Sequence, residues 1–153
     1  MDIVPIEHQH LDIWYRLAAK LWPDEDEEGD LPETLADELA KPNVFAFLAQ
    51  ADQQFIGFVY LTLRADYVEG CSDSPTGFIE GLYLEPEYCG KGFGRELVQL
   101  AEQVARDKGC TEMGSNALID NTASQAFHKA VGFAEVVRTV SFIKSIVPET
   151  DAD

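Results

Sequence analysis

"EPEYCGKGFGREL", residues 85–97, is the stretch that decides the fold, because an apolar, strand-like run gives way to a helical pattern within it. Gly90, Gly92 and Gly94 stand there at alternate positions. Glycine lets the backbone approach a ligand closely, and the free N–H groups at a helix start carry about half a positive charge. With Lys91 beside them, these residues predict a cradle for a phosphate group. A tight strand-to-helix turn that binds nothing has the same pattern.

Strand and helix patterns continue on both sides of this turn. An apolar stripe predicts a helix to about Lys108, ended by Gly109, and then a short strand at 111–115, a helix at 121–131 and a last strand over 134–146. Before the turn, the patterns predict a strand at 2–6, helices at 11–22 and 30–41, a hairpin of strands at 44–50 and 55–64, and a strand at 78–86. Asp30 is the predicted N-cap of the second helix. We expect a single domain over residues 1–147 and a flexible acidic tail at 148–153.

Composition and charge narrow the classes of function. The chain has 153 residues, 28 acidic and 11 basic, for a net charge of -17. Such a charge disfavours nucleic acid and favours a cationic partner, which the acidic run at 24–30 would help to attract. Three cysteines without CxxC spacing indicate neither a disulfide framework nor a metal site, and they fit a reducing cytoplasm. No apolar run is long enough for a membrane span, so we expect a protein that stays in the cytoplasm.

The glycine turn and the last predicted helix resemble two signatures of one enzyme family. "CGKGFG" (89–94) resembles the R/Q-x-x-G-x-G/A signature of the GCN5-related N-acetyltransferases (GNAT), and "DNTASQAFHKAVGF" (120–133) resembles their second signature. Four further segments, at 21–24, 64–75, 78–88 and 109–121, resemble aminoglycoside 6'-N-acetyltransferases in the same order. The resemblance implies the α+β GNAT fold, a central mixed, mostly antiparallel sheet flanked by about four helices. It also implies acetyl-CoA as the acetyl donor and no metal.

The resemblance implies that the phosphate cradle holds the pyrophosphate of acetyl-CoA. Cys89 stands where relatives have Arg or Gln, so the pattern leaves binding to the backbone and Lys91; the thiol itself is apolar filler or an oxidation-sensitive group. Asn121 would contact the pantetheine arm, and its other interpretation is the N-cap of the last helix. The residues implied to bind the coenzyme are Leu82, Tyr83, Leu84, Cys89, Gly90, Lys91, Gly92, Phe93, Gly94 and Asn121.

Two side chains are candidates for the proton transfers of the reaction. Glu80 lies in an apolar strand, where partial burial would raise the pKa of its carboxyl group towards that of a useful base. The resemblance implies that it is the general base that binds the amine; alternatively, it faces water on an edge strand. His128 stands where many relatives carry the Tyr that protonates the coenzyme A sulfur, and an unperturbed histidine, with a pKa of about 6.5, can donate such a proton. Its alternative role is to pack beside the thiol.

The resemblance also implies an acceptor pocket with two departures. Trp22 and Tyr67 would form its walls, although either ring could instead belong to the core, Trp22 especially because it ends an apolar helical stripe. Asn116 stands where this branch commonly has an amine-binding Asp, and Val137 stands where close relatives carry Glu. One carboxylate about 4 Å from an ammonium contributes on the order of 1–4 kcal/mol, so both departures bear on which amino sugars are accepted.

The resulting hypothesis is direct acetyl transfer from acetyl-CoA to the 6'-amine of an aminoglycoside, in a ternary complex, which would make the host resistant. Acetylation of a polyamine or a peptide N-terminus, and a non-catalytic acyl-CoA-binding module, are the alternatives. The resemblance further implies a homodimer that pairs through its C-terminal strands, where "VVRTVSFIKSI" (136–146) would otherwise leave an apolar edge.

Overall fold

A mixed sheet forms the centre of the protein in the computed structural model, which describes residues 1–26 and 29–148. In this part of the chain the sheet has five strands in the order β1-β2-β3-β4-β5; the first four are antiparallel and β5 is parallel to β4. The predicted mostly antiparallel sheet with about four helices is confirmed. The elements are β1 (Asp2–Pro5), α1 (Leu11–Leu21), α2 (Leu31–Leu39), β2 (Val44–Ala51), β3 (Gln54–Arg64), β4 (Thr76–Leu84), α3 (Phe93–Asp107), β5 (Met113–Ser115) and α4 (Thr122–Ala130).

Local sequence signals account for most of these boundaries. Asp52 and Gln53 both adopt positive φ, 53° and 62°, and make the two-residue turn of the predicted β2–β3 hairpin. Gly109, with φ of 90°, follows the end of α3 as expected. Asn121 begins α4, where its Oδ1 accepts the Ser124 N–H at 3.1 Å. No helix in the described ranges is long and apolar enough to cross a membrane.

The predicted cap of α2 is wrong. Asp30 makes no side-chain cap, because its backbone (φ -96°, ψ -1°) is already close to helical, whereas an N-cap residue is normally extended. The carboxylate that caps the helix comes from further upstream: Asp26 Oδ1 accepts the Leu31 N–H at 3.0 Å. Asp26 also accepts the Tyr15 hydroxyl at 2.6 Å, so it ties the start of α2 to α1. Two residues of the acidic run, 27 and 28, lie outside the described part of the chain.

The predicted last strand is also wrong. Residues 134–148 belong to no helix or strand, although their apolar pattern is that of a strand. The physical reason is that a strand needs a hydrogen-bonded neighbour, and nothing within the described residues of the chain pairs with this segment. Its large apolar side chains are left in water, with Phe142 91% and Ile143 101% exposed. The predicted acidic tail lies outside the described residues, except for Pro148.

The sheet separates two apolar cores. Helices α1 and α2 cover one face, hereafter the α1/α2 face, where Trp14, Leu17 and Phe58 are fully buried. Helix α3 covers the other, the α3 face, where Leu97 and Ala101 are fully buried against β3 and β4. Successive strand residues alternate between the faces, so a departure from this alternation moves a side chain from one core to the other.

Candidate active site

A β-bulge in β4 places Glu80. The pairing of β3 with β4 changes register here, from Tyr60 opposite Gly81 to Leu61 opposite Ile79, so Glu80 is an extra residue with no partner. Bulges bend a strand and re-aim a side chain, and they are frequent beside active sites. Glu80 and the next residue consequently both face the α1/α2 side of the sheet, instead of alternating.

Three donors converge on one oxygen of Glu80. Oε1 accepts the Thr62 hydroxyl at 2.8 Å and two N–H groups of Arg64, Nε at 3.0 Å and Nη2 at 2.7 Å. The Arg64 guanidinium lies over the Phe78 ring, with its Cζ 3.6 Å from the ring centroid. The Glu80 side chain is 23% exposed, and β4 is an inner strand between β3 and β5. Glu80 is therefore an oriented, partly buried carboxylate, and the water-facing edge-strand alternative does not hold.

A second carboxylate lies behind this one. Tyr60, on the same face of β3, donates its hydroxyl to Glu38 of α2, which also pairs with Lys41. Burial raises the pKa of Tyr60, and so do its hydrogen bond to Glu38 and the charges of Glu38 and Glu80. Tyr60 thus stays a neutral donor throughout the physiological range. Arg64, Thr62 and Glu38 are residues that the sequence analysis missed; the two-residue period of β3 could have identified the first two once its register was known.

Trp22 lies directly over the bulge. A Cβ atom built on Gly81 would come within 2.7 Å of two carbons of the indole ring, so the ring rests on bare backbone next to Glu80. The same ring packs against Phe58, with centroids 6.0 Å apart. Trp22 is half-buried and packs against the core on this face of the sheet, which agrees with the core interpretation, and its role as a pocket wall stays a prediction.

Tyr67 occupies the loop at 65–75, in which its side chain is 76% exposed. Glu112 holds this loop: its Oε1 accepts the Ser72 N–H at 2.7 Å and the Asp73 N–H at 3.0 Å. These hydrogen bonds lower the pKa of Glu112. Thr111 adds a hydroxyl hydrogen bond to Asp73 at 3.1 Å. The loop therefore has a defined position although it forms no helix or strand.

The glycine cradle opens in front of α3. Gly90 and Gly92 have φ of 77° and 86°, and a Cβ atom built on either would meet nothing within 4 Å. No described side chain caps α3, so the N–H groups of its first turn point into this open space. Lys91 stands above the Tyr88 ring at 5.4 Å. An anion the size of a pyrophosphate fits such a set of donors.

The remaining cradle residues hold the backbone in place. Gly94 is a close-approach position, since a Cβ atom there would come within 2.9 Å of the Phe127 ring of α4. Phe93 stacks on Tyr88, with ring centroids 6.2 Å apart. Cys89 is exposed in an extended backbone, with its Sγ 3.8 Å from the Leu84 carbonyl oxygen.

Strands β4 and β5 part next to this cradle. Their parallel pairing ends at Ile79 and Ser115, and the following residues of β4, Leu82 to Leu84, pair with β3 alone among the described strands. The backbone groups of this stretch that point away from β3 are therefore open. In open α/β sheets, ligands bind in the crevice outside the carboxyl ends of the strands, and this opening lies beyond the carboxyl end of the β4–β5 pairing.

His128 reaches this crevice from α4. Its Nδ1 lies 2.7 Å from the Ser124 carbonyl oxygen, which only accepts, so Nδ1 carries the hydrogen. Nε2 then accepts the Ser115 hydroxyl at 2.8 Å. Ser115 is a further residue that the sequence analysis missed, because only tertiary contact brings the end of β5 to α4.

The two residues that depart from the family pattern of the predicted acceptor pocket, Asn116 and Val137, are both exposed. Asn116 directly follows β5 and is exposed. Val137 is 50% exposed in the extended C-terminal segment, and its neighbour Val136 lies so close to Gly70 that a Cβ atom there would meet it at 2.8 Å. The hydrogen bonds to Glu80 within the described residues come from Thr62 and Arg64, and not from Asn116. No group of three or more metal-ligating side chains occurs in residues 1–26 and 29–148.

Comparison with known proteins places this geometry among acetyltransferases. Residues 11–133 match the model of the acetyltransferase (GNAT) family. The aminoglycoside N(6')-acetyltransferase type 1 of Salmonella typhimurium is 35% identical over 144 residues, which cover 94% of this chain and 99% of that protein. The protein of the same name from Stenotrophomonas maltophilia is 40% identical over 136 residues, covering 88% and 87%.

Solved structures agree with the sequence relatives. The apo structure of the 6'-N-acetyltransferase AAC(6')-Ig from Acinetobacter haemolyticus superposes with a TM-score of 0.88 at 35% identity, covering 96% of this chain and all of that one. The structure of AAC(6')-Iy in complex with the bisubstrate analogue CoA-S-monomethyl-acetylneamine superposes with a TM-score of 0.85 at 34% identity, covering 94% and 97%.

Proposed function

This chain belongs to the acetyltransferase (GNAT) family, among its type 1 aminoglycoside 6'-N-acetyltransferases, and we propose that Glu80, in the β4 bulge, carries its chemistry. The enzyme transfers the acetyl group of acetyl-CoA to the 6'-amino group of an aminoglycoside antibiotic. The observation that supports this assignment best is the bulge itself. It points a half-buried carboxylate to one face of β4, while the open backbone after it lies beside the crevice to β5.

Acetyl-CoA, the acetyl donor, is held by backbone groups more than by side chains. The open N–H groups at the start of α3, together with Lys91, are the cradle for the pyrophosphate, and Gly90 and Gly92 keep it free of side chains. The free backbone groups of Leu82, Tyr83 and Leu84 bind the acetyl carbonyl and the pantetheine, and one of their N–H groups stabilises the oxyanion. Such a donor contributes about 3 kcal/mol.

The reaction needs two proton movements. As the new carbon–nitrogen bond forms and the carbon–sulfur bond breaks, the amine nitrogen loses a proton to Glu80, directly or through water. When His128 is protonated, both ring nitrogens donate, so its Nε2–H donates to the Ser115 oxygen at 2.8 Å, and the Ser115 hydroxyl passes its own proton to the departing thiolate. Asn121 orients α4 and the pantetheine arm from the N-cap. Transfer is direct, in a ternary complex, and the acetylated drug no longer harms its host.

The acceptor lies on the α1/α2 face of β4. Trp22 offers an aromatic wall beside Glu80, and the braced loop at 65–75 brings Tyr67 from the other side. Asn116 supplies an uncharged hydrogen-bonding group at the end of β5. The substitution of Asn116 and Val137 for acidic residues leaves Glu80 as the principal carboxylate of the pocket and narrows the range of amino sugars accepted.

The cysteines and the exposed apolar side chains support proposals for the cellular compartment and the oligomeric state. We assign the enzyme to the cytoplasm, which agrees with three cysteines that form no disulfide. We also assign it as a homodimer through the C-terminal segment, residues 134–147, because that segment exposes seven large apolar side chains that a partner would cover. They are Val136, Val137, Val140, Phe142, Ile143, Ile146 and Val147.

Thiol release tests the function. The purified enzyme is mixed with acetyl-CoA and each member of a panel of kanamycin-like and gentamicin-like aminoglycosides, polyamines and peptides. We expect turnover with aminoglycosides, and a 10²- to 10⁴-fold loss of kcat in Glu80→Gln with unchanged coenzyme binding, as removal of a general base produces.

Glu85→Gln is the matched control, since Glu85 follows β4 but pairs with Lys20 instead of Arg64. No turnover with any aminoglycoside would reject the activity. A kcat in Glu80→Gln equal to that of Glu85→Gln would reject the base.

A further inference from the structure

The carboxylate proposed to meet the acceptor already has a cationic partner. Arg64 donates from Nε and Nη2 to Oε1 of Glu80, and Thr62 adds a third hydrogen bond to the same oxygen. Among the described residues, no hydrogen bond reaches Oε2. One oxygen of Glu80 is thus saturated and the other is left for a ligand.

The guanidinium is held in place independently of the carboxylate. Its Cζ lies 3.6 Å from the centroid of the Phe78 ring, so aromatic stacking supports it from one side. The side chain of Arg64 is 40% exposed and that of Glu80 is 23% exposed, so the pair borders on the solvent-filled acceptor side. Arg64 therefore remains a fixed positive charge next to any group that binds at Oε2.

No other ionisable group described around the Arg64–Glu80 pair supplies a positive charge in place of Arg64. Tyr60 is neutral, and Glu38 behind it is paired with Lys41. Helix α1 contributes the Lys20–Glu85 pair beyond the far end of β4. The neighbouring loop at 65–75 adds the carboxylates of Asp66, Glu69 and Asp73, and Glu112 before β5 is bonded to the same loop; all of these charges are negative.

Two positive charges cannot both be compensated by one carboxylate. A like charge within about 4–6 Å disfavours the charged form of an amine, and only the neutral amine has the electron pair needed for attack. We propose that Arg64 is a positioning residue that keeps Glu80 charge-compensated, so that the acceptor nitrogen binds at Oε2 as the neutral amine and not as the ammonium. This inference rests on the proposed function, because it requires the acceptor amine to bind at Glu80.

The proposal has an unusual consequence for binding. Without Arg64, Glu80 is an uncompensated carboxylate that binds ammonium more tightly, but the tightly bound form is unreactive. Arg64→Gln is expected to bind a 6'-amino aminoglycoside about tenfold more tightly, relative to the same compound with a 6'-hydroxyl, while kcat at pH 7 falls about tenfold. The kcat–pH profile should shift to higher pH by about one unit, the lower end of the shift that a neighbouring charge causes.

The experiment compares Arg64→Gln, Arg64→Lys and the control Arg106→Gln, an exposed arginine of α3 paired with Glu102. Calorimetry gives the affinity for the amino and hydroxyl compounds, and thiol release gives kcat and both KM values from pH 6 to 9. Arg64→Lys should keep the wild-type ratio of the two affinities, because it keeps the charge. The KM for acetyl-CoA should not change.

An unchanged affinity ratio in Arg64→Gln, or a kcat that falls equally at every pH, would overturn the proposal and leave Arg64 a structural role only. If Arg64→Gln does not fold, the wild-type enzyme decides: the affinity for the 6'-amino compound relative to the hydroxyl compound should rise with pH, and a fall would overturn the proposal. Failure of the proposed function is distinguishable, because it appears as full activity in Glu80→Gln or as no turnover in the wild type.

Discussion

Glu80 and Gly81 together make the surface on which the acceptor is proposed to bind. The bulge turns both residues to the α1/α2 face, one with a carboxylate and the other without any side chain. The missing side chain matters as much as the carboxylate, because the Trp22 ring occupies the space that a Cβ atom would take. The Trp22 ring can take this position only because residue 81 is a glycine, which has a hydrogen atom in place of a side chain.

Substitution at Gly81 should weaken the binding of the aminoglycoside acceptor but not that of acetyl-CoA. In Gly81→Ala the new methyl group would meet the Trp22 ring at 2.7 Å, which forces the ring outwards. Overpacking of this kind costs about 1–3 kcal/mol. We expect a lower melting temperature and an acceptor KM raised about tenfold, with the KM for acetyl-CoA unchanged.

Steady-state kinetics with both substrates varied measures this effect. Gly77→Ala is the matched control, because its methyl group would meet Ala105 at 2.9 Å on the opposite face of the same strand. It should be destabilised to a similar degree and keep the wild-type acceptor KM. Equal changes of acceptor KM in both variants would contradict the assignment of Trp22 to the pocket.

At the scale of elements, the loop at 65–75 shows how a segment without helix or strand acquires a fixed position. Glu112 precedes β5 and accepts two backbone N–H groups of the loop, which would be bonded to backbone carbonyl oxygens in a helix or strand. Hydrogen bonds to the ionised carboxylate lower the pKa of Glu112. The loop that bears Tyr67 is therefore coupled to the ionisation of one residue on a different segment.

This coupling predicts an acid-sensitive loop. Because the pKa of Glu112 is lower in the folded state, its contribution to stability is complete above the ordinary value of 4.5 and is lost as the pH falls through the folded value. Glu112→Gln should be less stable than the wild type at pH 7, and the difference should shrink as the pH falls below about 4.5.

Urea unfolding at a series of pH values from 7 to 3 measures the difference. Asp37→Asn, on the exposed surface of α2 beyond its first turn, is the control and should follow the wild-type curve throughout. A constant difference between Glu112→Gln and the wild type over the whole pH range would show that Glu112 is not ionised against the loop.

At the scale of the whole molecule, residues 134–147 form a segment whose apolar side chains a single chain leaves exposed. Residues 134–147 run past the loop at 65–75 without pairing to a described strand, and their apolar side chains face water. A groove of about 270 Å³ lies beside β5, lined among others by Cys110, Met113 and Phe133. Exposed apolar stretches and open sheet edges are normally covered by a partner, which is the physical basis for the proposed homodimer.

Charging this segment should separate the subunits. Phe142 and Ile146 are 91% and 88% exposed, so Phe142→Asp with Ile146→Asp removes little buried surface within one chain. We expect light scattering to give the mass of a dimer for the wild type and of a 17.0 kDa monomer for the double variant. Thr139→Asp with Ser141→Asp adds the same charge without removing apolar surface, and this control should stay dimeric. A monomeric wild type would contradict the proposal.

What could be predicted from the sequence is what short stretches of chain determine by themselves. The hairpin turn, the end of α3 at Gly109, the glycine cradle and the N-cap at Asn121 each depend on the conformation of a few adjacent residues. The family resemblance was readable for the same reason, because its signatures are contiguous. The sheet with its four helices was predicted correctly on this basis.

Only the tertiary structure decided the features that join distant segments. The register of β3 against β4 makes Glu80 a bulge residue and gives it Arg64 as a partner, 16 positions earlier in the chain. The Glu112 brace spans 39 or 40 positions, and the Ser115–His128 contact joins β5 to α4. The apolar pattern at 134–146 predicts a strand, but no pattern within a segment specifies its neighbour. Strand pairing requires two segments, and no segment within the described residues pairs with residues 134–146.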